Sequence, residues 1–144
     1  MKTKLIFIVI LTLLISCKNY TIPVESFIEQ MTKSGYEKLR DVEINNPAPY
    51  SYSNIAYQAN KIDSILVIDK KGNKVKLENS PKLEMRITRK NGKKYVLLFD
   101  TVIVENDTLK GARSRLIQNL RREIPLNDID HIMIQDSGKV YKYQ

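Results

Sequence analysis

Residues 83–99 read LEMRITRKNGKKYVLLF, and this stretch decides the fold class. Apolar residues alternate with polar ones in its first half, where Leu83, Met85 and Ile87 alternate with Glu84, Arg86 and Thr88. Asn91-Gly92 follows, which is the strongest short hairpin signal in the chain because both central positions of that turn favour positive φ. Residues 94–99 then supply the returning strand. The stretch predicts an antiparallel hairpin with one buried face.

The same pattern of short strands and turns continues on both sides of this hairpin. Before it, residues 62–68 and 75–77 flank a turn at 70–73, and after it strands are expected at 101–104, 108–111 and 132–134. Residues 41–60 contain a loop at 45–49 and are expected to be irregular or an edge strand. In residues 112–122 the apolar positions fit a helical turn as well as a strand, and we expect a strand pair or an irregular loop there.

A single helix is expected before the strands. Val24, Phe27, Ile28 and Met31 recur at helical spacing, and Gly35 lies just beyond the last of them. We therefore expect residues 24–144 to form one α+β domain. It would have one N-terminal helix and a mainly antiparallel β meander or small bent barrel. The order of strands and turns in residues 83–134 resembles the small barrels of the SH3 and LSm kind, which implies a closed sheet.

The first 17 residues have the features of a secretory signal. Lys2 and Lys4 precede an apolar run over residues 5–15, which is too short to span a bilayer because spanning takes about 20 residues. The run ends in Leu14-Ile15-Ser16-Cys17, which resembles the lipobox of bacterial lipoproteins. That resemblance implies a signal peptide over 1–16 and acylation of Cys17, for example with palmitate. Residues 17–23 would then form a lipidated tether.

Location and partners follow from this resemblance. The chain would be held in the cell envelope by acyl chains on Cys17, and Lys18 at the next position points to the outer membrane if the host is Gram-negative. The formal charge is +8, and the first 16 residues contribute two lysines and no acid, which leaves +6 for the rest. Such an excess suits an anionic surface or an acidic protein. An envelope protein partner is expected, and nucleic acid is not.

No residue pattern for catalysis or metal binding follows the signal. Cys17 is the only cysteine and His131 the only histidine, so thiol chemistry and zinc clusters in the folded part are excluded. The aspartates lie at turns without the spacing of a calcium loop. We expect no enzyme activity, no cofactor and no metal, and an enzyme that modifies envelope glycan or lipid is the least favoured alternative.

Three groups of residues are candidate interaction surfaces. The first is an arginine group beside apolar Leu116, Ile117 and Leu120, made up of Arg113, Arg115, Arg121 and Arg122. Tyr50, Tyr52 and Tyr57 form the densest aromatic group, and Lys70, Lys71, Lys74 and Lys76 form a second basic group. We expect a protein-interaction or assembly module that uses the arginine group. The alternative is a small-ligand binder or inhibitor that uses a barrel cavity or the tyrosines.

Overall fold

The computed structural model describes residues 18–33, 39–46, 53–117 and 119–144. One α-helix, α1 (Val24–Lys33), is found among them. The strands are β1 (Asn19–Ile22), β2 (Arg40–Ile44), β3 (Ile55–Ala59), β4 (Ser64–Ile68), β5 (Lys74–Glu78), β6 (Leu83–Arg89), β7 (Lys94–Leu98), β8 (Ile103–Glu105), β9 (Thr108–Ala112), β10 (Arg121–Pro125) and β11 (Ile129–Asp136). The expected α+β class, with mainly antiparallel strands after one N-terminal helix, is confirmed.

The described strands form three antiparallel sheets. Six strands pair in the order β5-β4-β1-β11-β6-β7, three in the order β10-β9-β8, and β2 pairs with β3. Residues 40–44 and 55–59, expected to be irregular or an edge strand, thus form a two-stranded hairpin. In residues 112–122, expected to be a strand pair or an irregular loop, β9 ends at Ala112 and β10 begins at Arg121, and the described residues between them form the β9–β10 loop.

The turn chemistry differs from the prediction at one hairpin. In the β6–β7 turn only Gly92 has a positive φ, of 82°, and the Gly92 N–H donates to Arg89 O at 2.8 Å. This is a type I turn followed by a left-handed glycine, so the expectation of two positive-φ positions at Asn91-Gly92 is wrong. Two consecutive positive φ values occur instead at Asn106 and Asp107, in the two-residue loop between β8 and β9.

Strand β1 lies inside the larger sheet, hydrogen-bonded to β11 on one side and to β4 on the other. Asn19 pairs with Gln135 and Ile22 with Ile132, and Ile22 is buried. The prediction that residues 17–23 form a tether is therefore wrong for 19–22. In this strand polar Asn19 and Thr21 alternate with Tyr20 and Ile22, and the latter two side chains contact the core. Cys17 itself lies outside the described residues.

Helix α1 is fixed to the sheet by one glutamine. The Leu66 N–H donates to Gln30 Oε1 at 2.7 Å, and Gln30 Nε2 donates to Leu66 O at 3.0 Å. Gln30 thus satisfies backbone groups of β4 that the short β1 does not reach. On its inner face the helix buries Phe27 and Met31 completely. These side chains belong to the main core, which also holds buried residues from the six-stranded and three-stranded sheets.

A second, smaller core lies under the β2–β3 hairpin. Ile44, Tyr57 and Ala59 are buried there, and Tyr141 and Tyr143 of the C-terminal segment pack against them. The C-terminal segment runs beside β2, with an Ile44–Tyr143 bridge and the Gln144 N–H donating to Glu43 O at 3.0 Å.

Candidate functional site

A buried polar cluster joins the smaller core to the larger one. We name it the Asp100 cluster, and its members are Asp100, Arg115, Tyr57 and Tyr143. Arg115 Nη2 donates to Asp100 Oδ1 at 2.9 Å, while the hydroxyls of Tyr57 and Tyr143 both donate to Oδ2, the latter at 2.9 Å. Asp100 is completely buried. Because its carboxylate binds one cation and two hydroxyls, it holds β3, the C-terminal segment and the β9–β10 loop together.

Burial determines the ionisation of this cluster. Desolvation, followed by the charge of Asp100, raises the pKa of Tyr57 and of Tyr143 above the ordinary value of about 10. Burial by itself lowers the pKa of Arg115, but the charge of Asp100, the interaction with Tyr57 and the hydrogen bonds to both together outweigh burial, and the net shift is upward. Both hydroxyls therefore stay protonated as donors, and Arg115 stays charged. The carboxylate is occupied and shielded from solvent, so the cluster is a structural joint.

Asn60 supports the same joint from the end of β3. Its backbone N–H donates to Asp100 O at 2.6 Å, and its Nδ2 donates to the carbonyls of Phe99 and Val102 at 3.0 and 2.9 Å. Its Oδ1 accepts from Asn79 Nδ2 at 2.7 Å. One buried amide thus fixes the 3-10 turn Phe99–Thr101, which carries Asp100.

The most exposed apolar group of the described residues lies in the β9–β10 loop, residues 113–120. Leu116 is 74% exposed, Ile117 59% and Leu120 39%, and these are three of the six large apolar side chains that are exposed in the described part of the chain. Arg113 and Arg121 are also exposed and flank them. Arg122 is exposed as well, but it is the next residue of β10 and lies over the Tyr95 ring, 5.8 Å from its centroid. We name Leu116, Ile117, Leu120, Arg113 and Arg121 the loop surface. Exposing so much apolar area in one place is costly in water unless it is covered by a partner.

Hydrogen bonds hold the loop surface in a defined shape. The Arg113 N–H donates to Leu120 O at 2.9 Å across the base of the loop, and the Leu120 N–H donates to Ile117 O at 3.0 Å. Ser114 Oγ accepts from the N–H groups of Leu116 and Ile117, each at 3.2 Å. These bonds thus connect the described residues on both sides of position 118 and the base of the loop.

The structure separates the arginines that the sequence groups together. Arg115 is 8% exposed, and its Nη2 also donates to Pro81 O at 2.8 Å. Its guanidinium lies over the rings of Tyr57 and Tyr141, 5.2 and 5.4 Å from their centroids. Assigning Arg115 to an exposed surface is therefore wrong, because its partners bury it. Its role is to fasten the loop surface to the domain.

The tyrosine group is divided as well. Tyr57 is buried in the Asp100 cluster, so it is not an exposed recognition residue. Tyr50 and Tyr52 lie outside the described residues. Beside the loop surface lies a groove of about 450 Å³, lined by Ile55, Leu98, Arg113, Leu116, Lys139 and Tyr141 among others. Apolar and cationic side chains share this groove.

Asp100 and Tyr143 are the site residues that sequence patterns miss. Asp100 resembles any turn aspartate, and its partners Tyr57 and Tyr143 are each 43 residues away along the chain. No local signal connects them.

His131, the histidine considered as a catalytic candidate, is exposed on β11. In the part of the chain that the structure describes, no group of three or more His, Cys, Asp or Glu side chains is arranged to hold a metal ion. Among the same residues, no helix has the length and hydropathy needed to span a membrane. No protein-family model, no curated protein and no solved structure matches this chain, so a functional conclusion rests on the residues described above.

Proposed function

We propose that this chain is a lipid-anchored envelope protein that acts as a protein-interaction module. The observation that carries the proposal is the loop surface, where Leu116, Ile117 and Leu120 are exposed together between arginines. The lipobox-like residues that end at Cys17 support the anchor, which would hold the domain at a membrane. In a Gram-negative host, Lys18 favours the outer membrane.

The side chains of the loop surface indicate which kind of partner surface it would bind. Apolar side chains at the tip favour a partner that offers its own apolar groups, since burying their area is favourable by about 25 cal/mol per Å². The flanking Arg113 and Arg121 favour carboxylates around that contact, because a guanidinium binds a carboxylate in a two-pronged geometry. An envelope protein with an apolar patch bordered by acidic side chains fits both requirements.

Photo-crosslinking from the loop surface tests this proposal. A photoreactive side chain at Ile117 of the full chain, expressed in its host, should form an adduct with a defined envelope protein. The matched control is the same group at Val96, which is exposed on β7 and 43% accessible. Adding Leu116→Ser and Leu120→Ser should abolish the adduct without lowering the thermal midpoint, because both residues are exposed. Equal adducts from both positions, or crosslinks to lipid alone from position 117, would contradict the proposal.

A further inference from the structure

One end of the six-stranded sheet is basic, and the chain enters the sheet at this end. Strand β1 runs antiparallel to β4, so its first residue, Asn19, lies beside the turn between β4 and β5. Lys18 and Asn19 line the same surface depression, of about 430 Å³, as Lys70 and Lys71 of that turn. Lys74 is exposed at the start of β5. We name Lys18, Lys70, Lys71 and Lys74 the basic end.

One acidic side chain accompanies these lysines: among the described residues that line the depression, Asp69 is the one acid. Its carboxylate accepts from the backbone N–H groups of Lys71 and Asn73, at 2.8 and 2.9 Å, and these bonds contribute to lowering its pKa. Asp69 thus closes the turn on which Lys70 and Lys71 are displayed. The four lysines of the basic end therefore outnumber this one carboxylate.

The opposite end of the sheet carries charges of both signs. Because β11 is antiparallel to both β1 and β6, the β6–β7 turn lies at the end of the sheet away from Asn19. Exposed Lys93 and Lys94 lie at that turn, and a depression of about 680 Å³ near it is lined by Lys90 together with Glu25, Asp107 and Asp130. Lysines thus lie at both ends of the sheet, and the basic end is set apart because it is the one nearest to Cys17 in the chain and acidic side chains line the depression at the other end.

We propose that the basic end lies against an anionic membrane surface, an inference that rests on the proposed acylation of Cys17. Consecutive Cα atoms are about 3.8 Å apart, so the Cα of residue 17 is held within about 8 Å of that of Asn19. The anchor by itself fixes one point and leaves the domain free to tilt. Lysines beside that point are attracted by anionic head groups and fix the orientation of the sheet.

Fluorescence quenching in vesicles tests the orientation. The full mature chain, acylated by its host, is reconstituted in phosphatidylcholine vesicles with or without phosphatidylglycerol, and a lipid spin-labelled at its head group serves as the quencher. With Cys17 acylated, a new cysteine is the only free thiol. Fluorophores are placed at matched turn positions, on Lys70→Cys and on Lys90→Cys. Quenching should be strong at position 70 and weak at position 90 when phosphatidylglycerol is present.

Charge reversal provides the second part of the test. Lys71→Glu with Lys74→Glu should shift the orientation equilibrium by at least about 30-fold away from the docked state, because each lysine lost near an anionic surface accounts for about fivefold and the new glutamates are repelled as well. The matched control, Lys93→Glu with Lys94→Glu, makes the same change of charge at the β6–β7 hairpin, where Lys94 is the equivalent of Lys74, and should leave the quenching unchanged. Circular dichroism melts of both variants report whether the fold is kept.

The two proposals fail in different ways. A chain that does not enter vesicles because Cys17 carries no lipid contradicts the proposed function. A chain that enters vesicles and is quenched equally at positions 70 and 90 overturns the orientation alone. The same holds if quenching at position 70 does not depend on phosphatidylglycerol.

Discussion

Replacing Arg115 with methionine tests whether the Asp100 cluster is the joint of the fold. Methionine keeps most of the apolar stem but removes the hydrogen bonds to Asp100 Oδ1 and Pro81 O, and the stacking on Tyr57 and Tyr141. Asp100 would then be completely buried without a cation. Removing one partner of a buried ion pair typically costs about 3–5 kcal/mol.

The contacts of Arg115 place the expected loss at the lower end of that range. Asp100 keeps the hydroxyls of Tyr57 and Tyr143 as donors after the change. Within the described residues the Nε of Arg115 has no acceptor, so this atom adds nothing to the loss. We expect a loss of about 3 kcal/mol in the free energy of unfolding. With an m-value of about 1.5 kcal/mol/M in urea, the midpoint should fall by about 2 M.

Urea unfolding of a chain that starts at Lys18, followed by circular dichroism, measures this loss. Arg113→Met is the matched control, because Arg113 is exposed on the same loop and its replacement should change stability by no more than about 0.5 kcal/mol. Replacing both partners, in Asp100→Leu with Arg115→Met, should cost less than the sum of the two single changes. A loss below about 1 kcal/mol for Arg115→Met, or equal losses for both arginines, would refute the reasoning.

Three further predictions concern the same joint and the sheet beside it. The free energy of unfolding should fall as the pH rises above about 10, because the tyrosine of the unfolded chain ionises there while burial keeps the pKa of Tyr143 higher in the folded chain. Tyr143→Phe should therefore make the urea midpoint less sensitive to pH in this range. Gly111→Ala should cost about 1–3 kcal/mol in urea unfolding, since its Cβ would lie 3.0 Å from a methyl group of Leu97. Asn60→Ala should cost about 3 kcal/mol, because it removes the buried hydrogen bonds of the side-chain amide to the Phe99 and Val102 carbonyls and the acceptor of Asn79 Nδ2. Exposed Asn54→Ala should cost about 0.5 kcal/mol or less, and equal thermal midpoints for the two variants would contradict this role.

Local patterns predict the elements whose partners are close in sequence. The periodicity of residues 24–33 and the alternation of 83–89 each depend on neighbouring side chains, and the structure confirms α1 and β6. Strand β1 is different, because its partner β11 begins more than a hundred residues later and four residues are too few to show an alternation.

The same distinction explains the candidate site. Arg113, Arg121 and Arg122 are exposed, as the local composition suggests, although the guanidinium of Arg122 lies over the Tyr95 ring. Arg115 has the same sequence environment, yet it is buried because Asp100, 15 residues earlier, is brought beneath the loop. Which arginine becomes the joint depends on tertiary packing, and the sequence contains no local signal for it.

The central claim is that acylation of Cys17 holds this interaction module at a membrane, and metabolic labelling with a clickable fatty acid tests it most directly. The wild-type chain should carry the label and fractionate with membranes. Cys17→Ala should lose the label, because no other cysteine can accept the lipid. Any mature domain made from this variant should keep its fold and leave the membrane fraction. A wild-type chain that carries no label and fractionates away from membranes, or a Cys17→Ala chain that keeps its label, would contradict the account.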